Sequence, residues 1–257
     1  MKNRIVFLGA IVLGALLTAA PAWAIVNVLP TGKGKDGLSG KLSTSVTWRT
    51  GNTELLQLAA SSNASFHKGP HGVLFKAQVT YGSKSSEVYI ARTFEHLRYR
   101  YEWLDWLTFE TLFQHQYDMF KQLKFRALLG GGFATQWQPL EDLSLVFGST
   151  YLLEREVEGD DVEITLSSFS DFEHRWSNYL QVGWNLTETI GLKSTTFVQP
   201  KFTDFGDLRI HSENGLTVKA NESFGITVSF TASYDSQPFA DVEPLDTNLK
   251  TSLDFTF

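Results

Sequence analysis

Twelve residues at the end of the chain, Asp246 to Phe257, alternate between two chemistries almost without error. Thr247, Leu249, Thr251, Leu253, Phe255 and Phe257 fall on one side; Asp246, Asn248, Lys250, Ser252, Asp254 and Thr256 fall on the other. A period of two sustained over this length is a β-strand with one apolar and one polar face. Such a strand cannot stand alone, because its two edges carry unpaired backbone groups that need neighbours.

The same alternation recurs along most of the chain, broken by turn chemistry at Thr50-Gly51-Asn52-Thr53, His67-Lys68-Gly69-Pro70-His71-Gly72, Glu102-Trp103-Leu104-Asp105-Trp106, Gln138-Pro139-Leu140-Glu141-Asp142, Thr187-Glu188-Thr189 and Lys219-Ala220-Asn221-Glu222. Twelve strand segments result. Every second connection is short (67–72, 102–106, 138–142, 187–189, 219–222). Those between them include longer ones at 82–88, 154–171, 200–207 and 235–245. An even number of long alternating strands, joined by short turns on one side and longer loops on the other, predicts an all-β, single-chain antiparallel transmembrane barrel of about 12 strands. Both termini are then expected in the periplasm. A soluble sandwich is also built from alternating strands, but its strands run about five or six residues. These run long enough to cross a bilayer on a tilt. Trp48, Phe66, Tyr101, Trp103, Trp106, Tyr117, Trp137, Tyr151 and Tyr234 gather near segment ends, as the two aromatic belts of a membrane barrel require.

The N-terminus agrees with export. Lys2 and Arg4 precede an apolar run from Ile5 to Ala20, and Ala22-Trp23-Ala24 has the small-x-small form of a cleavage site. This reads as a signal peptide over 1–24, followed by a periplasmic segment at 25–37 and the barrel at 38–257. The absence of cysteine excludes a disulfide framework and thiol chemistry. There are 22 basic against 28 acidic residues; without Lys2 and Arg4 the formal charge is −8, which argues against nucleic acid as a partner.

Three patterns resemble one family of Gram-negative barrels. They are Val46-Thr47-Trp48-Arg49-Thr50-Gly51-Asn52-Thr53, Thr195-Thr196-Phe197-Val198-Gln199-Pro200 and Tyr234-Asp235-Ser236-Gln237-Pro238. In order and spacing they are similar to the salt-induced outer membrane proteins, domain of unknown function number 481. The resemblance implies an outer-membrane location with membrane lipids as partners. It also implies handling by periplasmic chaperones and the barrel-assembly machinery, with Phe257, Phe255 and Leu253 as the assembly signal. It assigns no reaction.

Six histidines invite a search for an enzyme. His115 is the best candidate, pointing outward on the fifth strand, but the outward faces of strands four and six offer it no serine at its level. It reads as a ring in the aromatic belt. No cofactor and no metal set is apparent; the carboxylates from Glu154 to Glu163 read as a solvated outer loop. The polar faces carry the functional expectation. Lys41, Lys76, Arg98, Arg100, Lys124, Arg126, Arg175, Lys193, Arg209 and Lys250 are assigned to the lumen against Glu110, Glu213 and Asp254. Arg98, Glu110 and Arg126 form either a structural ladder or part of a channel wall. Twelve strands give a backbone radius of about 11 Å, narrow enough for arginines to line a passage or to close it. Three readings stay open: a narrow channel for ions or small solutes with anion preference, a non-conducting structural or envelope-stress barrel, and a lipid-active enzyme.

Overall fold

The computed structural model describes residues 36–49, 55–85, 87–159, 172–239 and 242–256. The proposed signal peptide, most of the segment after it, and Phe257 lie outside the described residues. Twelve strands follow in chain order: β1 (Gly37–Arg49), β2 (Leu55–Lys68), β3 (His71–Lys84), β4 (Glu87–Leu104), β5 (Leu107–Asp118), β6 (Leu123–Leu140), β7 (Leu143–Glu158), β8 (Glu173–Asn185), β9 (Ile190–Lys201), β10 (Asp204–Lys219), β11 (Phe224–Asp235) and β12 (Leu245–Thr256). Each pairs antiparallel with its chain neighbours, and β12 returns to pair with β1, closing a barrel. Because the strand count is even, the start of β1 and the end of β12 share one rim.

At that rim the turns are tight and capped by their own side chains. Gly69 takes a left-handed φ of 57° between β2 and β3. Between β10 and β11 the Asn221 carboxamide oxygen accepts from the amides of Ser223 and Phe224, both at 2.9 Å. At the opposite rim the connections are uneven. The loops expected at 82–88 and 200–207 shrink to residues 85–86 and 202–203, because β3, β4, β9 and β10 run on into them. Likewise β7 continues to Glu158, so the acidic stretch expected as a loop begins inside a strand. Between β5 and β6 a single 3-10 turn, Met119–Lys121, is capped by the Asp118 carboxylate, which accepts from the amides of Phe120 and Lys121.

Alternation sorts the side chains into an outer and an inner set. Leu42, Val79, Leu97, Phe113, Leu129, Phe147, Leu180, Leu216, Val228 and Leu249 point outward and stay exposed. They form the apolar wall that faces lipid. Outward aromatics make two belts. Trp103, Trp106, Trp137, Trp184 and Phe224 ring the rim of tight turns, and Trp48, Tyr151, Trp176, Phe202 and Tyr234 ring the other. Neighbours within a belt touch, as in Phe109–Phe133 at 5.7 Å edge-on and Tyr151–Phe202 at 5.7 Å. Among the described residues no helix is long and apolar enough to cross a membrane; the strands do the crossing.

Candidate functional site

The inner set is the candidate site, and it divides the lumen in two. From β4 round to β10 most of the inward side chains are buried, many to near-zero exposure. They are arranged in two charged layers and an apolar one.

The first layer centres on Glu154. Its carboxylate receives Arg126 Nε at 2.6 Å, Arg175 Nε at 2.5 Å and Arg209 Nη1 at 2.5 Å. Arg209 goes on to bind both oxygens of Glu156 (2.9 and 3.0 Å) and Asp235 (2.8 Å). Arg175 reaches Asp207 at 2.9 Å, and Arg126 also donates to the Gln116 oxygen at 3.0 Å. The second layer centres on Glu110, which takes Arg98 Nη1 at 3.0 Å, Arg100 Nε at 2.8 Å and the Tyr179 hydroxyl at 2.8 Å. The Arg98 guanidinium also lies over the Tyr179 ring, 5.7 Å from its centroid. His96 completes this layer, hydrogen-bonded to Gln114 at 3.0 Å. Leu112, Leu128, Ala134, Val146, Leu152, Tyr179 and Phe197 form an apolar cluster alongside. Glycines make room for it. A Cβ on Gly148 would sit 2.1 Å from the Tyr179 ring, and one on Gly130 would sit 2.4 Å from Leu152.

The rest of the wall differs. On β12, β1 and β2 the inward positions are Asn248, Lys250, Ser252, Ser43, Ser45, Thr47, Ala59, Ser61 and Asn63, small or hydroxylated for the most part and all partly or fully accessible. Lys41, Lys76, Lys193 and Lys250 border this side. Lys76, Lys193 and Lys250 each feel the field of Lys41 and of Glu213. Lys41 is paired with Asp254 at 2.6 Å. At the rim away from the termini residues 236–239 and 242–244 lie at the mouth. Ser236 ties them to β10, its hydroxyl accepting from the Leu208 amide at 2.7 Å and donating to the Gly206 carbonyl at 3.0 Å. Pro238, Phe239, Val242 and Pro244 then roof a cavity of about 90 Å³, with Arg92, Gln116 and Asp118 in its wall.

Several sequence expectations need correction. Arg98 and Glu110 do pair, but Arg126 does not join them. The β5–β6 register sets Glu110 opposite Gly132 and Arg126 opposite Gln116, so Arg126 lies a full layer away and binds Glu154. At Lys124 a bulge between Leu123 and Phe125 interrupts the β6–β7 register, and Leu123 lines the rim cavity. The largest correction concerns charge. The inward basic excess is offset by Glu154, Glu156, Asp207 and Asp235, all missed. Their signal was present: Thr150, Leu152, Glu154 and Glu156 continue one parity without a break. His115 also has a partner that sequence reasoning missed. Its Nδ1 lies 2.8 Å from Glu95 on the outer wall, with the Phe125 ring 5.1 Å away. Among the described residues its hydrogen bonds include no serine. Of the assembly-signal residues, Leu253 and Phe255 point outward, 72% and 41% exposed.

A closed barrel with an apolar belted exterior and a charged interior defines a membrane-spanning β-barrel. The chain belongs to the family described as "Protein of unknown function, DUF481", whose model matches residues 42–257. No curated protein matches it in sequence. Among solved structures it is similar to the NanC porin (11% identity, 86% of this chain and 98% of that chain, TM-score 0.46). It is also similar to the KdgM porin (10%, 86% and 99%, TM-score 0.45) and to the translocator domain of autotransporter NalP from Neisseria meningitidis (11%, 86% and 86%, TM-score 0.47).

Proposed function

We propose that this protein is an outer-membrane channel for small polar solutes and ions, with a mild preference for anions. One observation carries the reading: the lumen is filled on one side only. The β4–β10 side is a largely buried, ion-paired wall, whereas β12, β1 and β2 present accessible hydroxyls and amides along their length. A passage of this kind is lined by groups that can replace part of a solute's hydration without holding it.

The arginines do not carry the selectivity, because each of Arg98, Arg100, Arg126, Arg175 and Arg209 faces a carboxylate within 3.0 Å. The expected sign comes instead from the count on the lysine-bearing side, where Lys41, Lys76, Lys193 and Lys250 outnumber Glu213 and Asp254, and a narrow low-dielectric passage focuses the resulting field on a passing ion. With two acids among four lysines, a preference is expected and not exclusion of cations. Purified protein in a planar bilayer under a salt gradient gives the sign through its reversal potential. Lys193→Glu with Lys250→Glu should weaken or invert it, and Arg98→Gln should leave it unchanged in whatever protein still folds. Cation preference in the unmodified protein would overturn the selectivity. Complete absence of conductance would favour the second reading, a non-conducting structural barrel, for which the buried Arg–Glu layers are the specific observation.

A further inference from the structure

The ladder that closes the barrel is shorter than any of the others. All 13 residues of β1 pair with β2. Toward β12 the pairs run only from Lys41–Thr256 to Thr44–Leu253. Beyond them, among the described residues, Ser45–Arg49 and the facing residues 248–252 of β12 share no ladder. Five residues of strand span about 17 Å, roughly half the hydrocarbon thickness of a bilayer. Backbone N–H and C=O groups along such a break cannot be left facing hydrocarbon, so it has to admit water or polar groups.

What borders the break differs on its two sides. Outside, an apolar groove of about 890 Å³ runs beside the four closing pairs and reaches the lower end of the break at Thr44 and Leu253, with Leu42, Ala60, Ala77 and Ile226 in its wall; its lining also takes in the inward-pointing Ser43 and Asp254. Inside are Ser45, Thr47, Asn248, Lys250 and Ser252, on the accessible wall of the lumen. The lower end of the break is pinned by Asp254. Its carboxylate accepts from Ser43 at 3.0 Å, Thr227 at 2.5 Å and Ser252 at 3.1 Å, and it pairs with Lys41. An apolar trough on the membrane side thus ends at the lower edge of a gap in the wall, behind which lies a hydroxylated, lysine-bearing surface on the water side.

We infer that the β1–β12 break is a lateral portal for a single-chain amphiphile with an anionic head. The chain lies in the outer groove, and the head passes between the strands to Lys250 and Lys41 among the hydroxyls of Ser45, Thr47 and Ser252. The portal shares the accessible wall with the channel reading but does not depend on conduction along the barrel axis.

The chain has no cysteine, so engineered pairs are unambiguous. Ser45→Cys with Ser252→Cys stand at what would be the next pair of the seam; a short bis-maleimide bridges them and blocks the gap. Ser39→Cys with Ser65→Cys bridge the intact β1–β2 ladder, where the two hydroxyls are 2.7 Å apart, and serve as control. The probe is stearic acid carrying a nitroxide near the chain end, read by electron paramagnetic resonance in proteoliposomes. The unmodified protein and the control should give an immobilised component, and the bridged seam should reduce it at least tenfold. Lys250→Glu should weaken binding of the carboxylate severalfold but not of its methyl ester. An immobilised component that survives the bridged seam, or one indifferent to Lys250→Glu, would place the probe on the outer wall alone and overturn the portal. Bridging recovered between two barrels would assign the strand edges to a second copy and overturn it equally. Bilayer conductance of the same bridged protein is read separately, so a failure of the channel reading is not mistaken for a failure of the portal.

Discussion

Glu154 is the residue on which most of the interior depends. It is fully buried and holds three arginines from β6, β8 and β10. A buried ion pair adds little net stability, since both partners lose hydration. Removing the shared partner is different, because three buried guanidiniums lose the carboxylate common to them and keep Glu156, Asp207 and Asp235 at the edges of the cluster. Glu154→Gln keeps the shape and strips the charge from the centre of Arg126, Arg175 and Arg209. We expect a loss of about 3–5 kcal/mol, read as a lower urea midpoint for the folded, heat-modifiable barrel in detergent. Glu156 is less buried and shares Arg209 with Asp235, so Glu156→Gln should cost distinctly less. Equal losses in the two variants would show that the network tolerates redistribution and has no centre.

At the scale of strands, the alternation was legible throughout, and with it the number of elements, their antiparallel order and the outward face of each. What the pattern could not tell was where a strand stops. Glu154-Arg155-Glu156-Val157-Glu158 alternates as a lumen strand, yet carboxylates in a row read equally well as a solvated loop. The distinction lies in Arg175 and Arg209, which are remote in sequence. The bulge at Lys124 was hidden for the same reason, since one inserted residue leaves no mark in composition. Tyr179 and Glu110, 69 positions apart, meet only because the barrel closes. Outward positions on β12 are simpler to argue. Leu253 stands on the lipid face beside the closing ladder, so Leu253→Arg should cost roughly 2–4 kcal/mol and deplete the folded band from membranes. Lys250→Arg, on the inner face of the same strand, should leave it. The tight turns at one rim also predict sidedness. Cysteine at Thr203 should react with an impermeant maleimide in intact cells, and cysteine at Glu188 only after the outer membrane is permeabilised. The reverse pattern would invert the proposed topology.

The whole molecule is asymmetric around its axis, and this has a dynamic consequence. Opening of a sheet requires breaking ladders on both sides of a strand together with whatever its side chains hold. From β5 to β9 each strand is paired along nearly its full length on both edges and is cross-linked through the lumen by Glu110, Glu154 and the apolar cluster between them. On the other side β1 and β12 share four pairs, secured by the Asp254 hydrogen bonds, and their inner faces meet water. The cost of local opening should therefore fall sharply at one place on the circumference. In hydrogen exchange of the detergent-solubilised barrel, those amides of Ser45–Trp48 and Asn248–Ser252 that face the seam, and not the alternate ones that donate to β2 and β11, should exchange orders of magnitude faster than those of Gly130–Ala134 or Ser177–Gln181. Asp254→Ala should spread fast exchange down the seam to Lys41–Thr44 while leaving the β5–β9 amides protected. Uniform protection around the barrel would mean that lipid or detergent seals the seam as firmly as a ladder does. Loss of protection everywhere in Asp254→Ala would mean that the closing ladder, short as it is, sets the stability of the whole barrel.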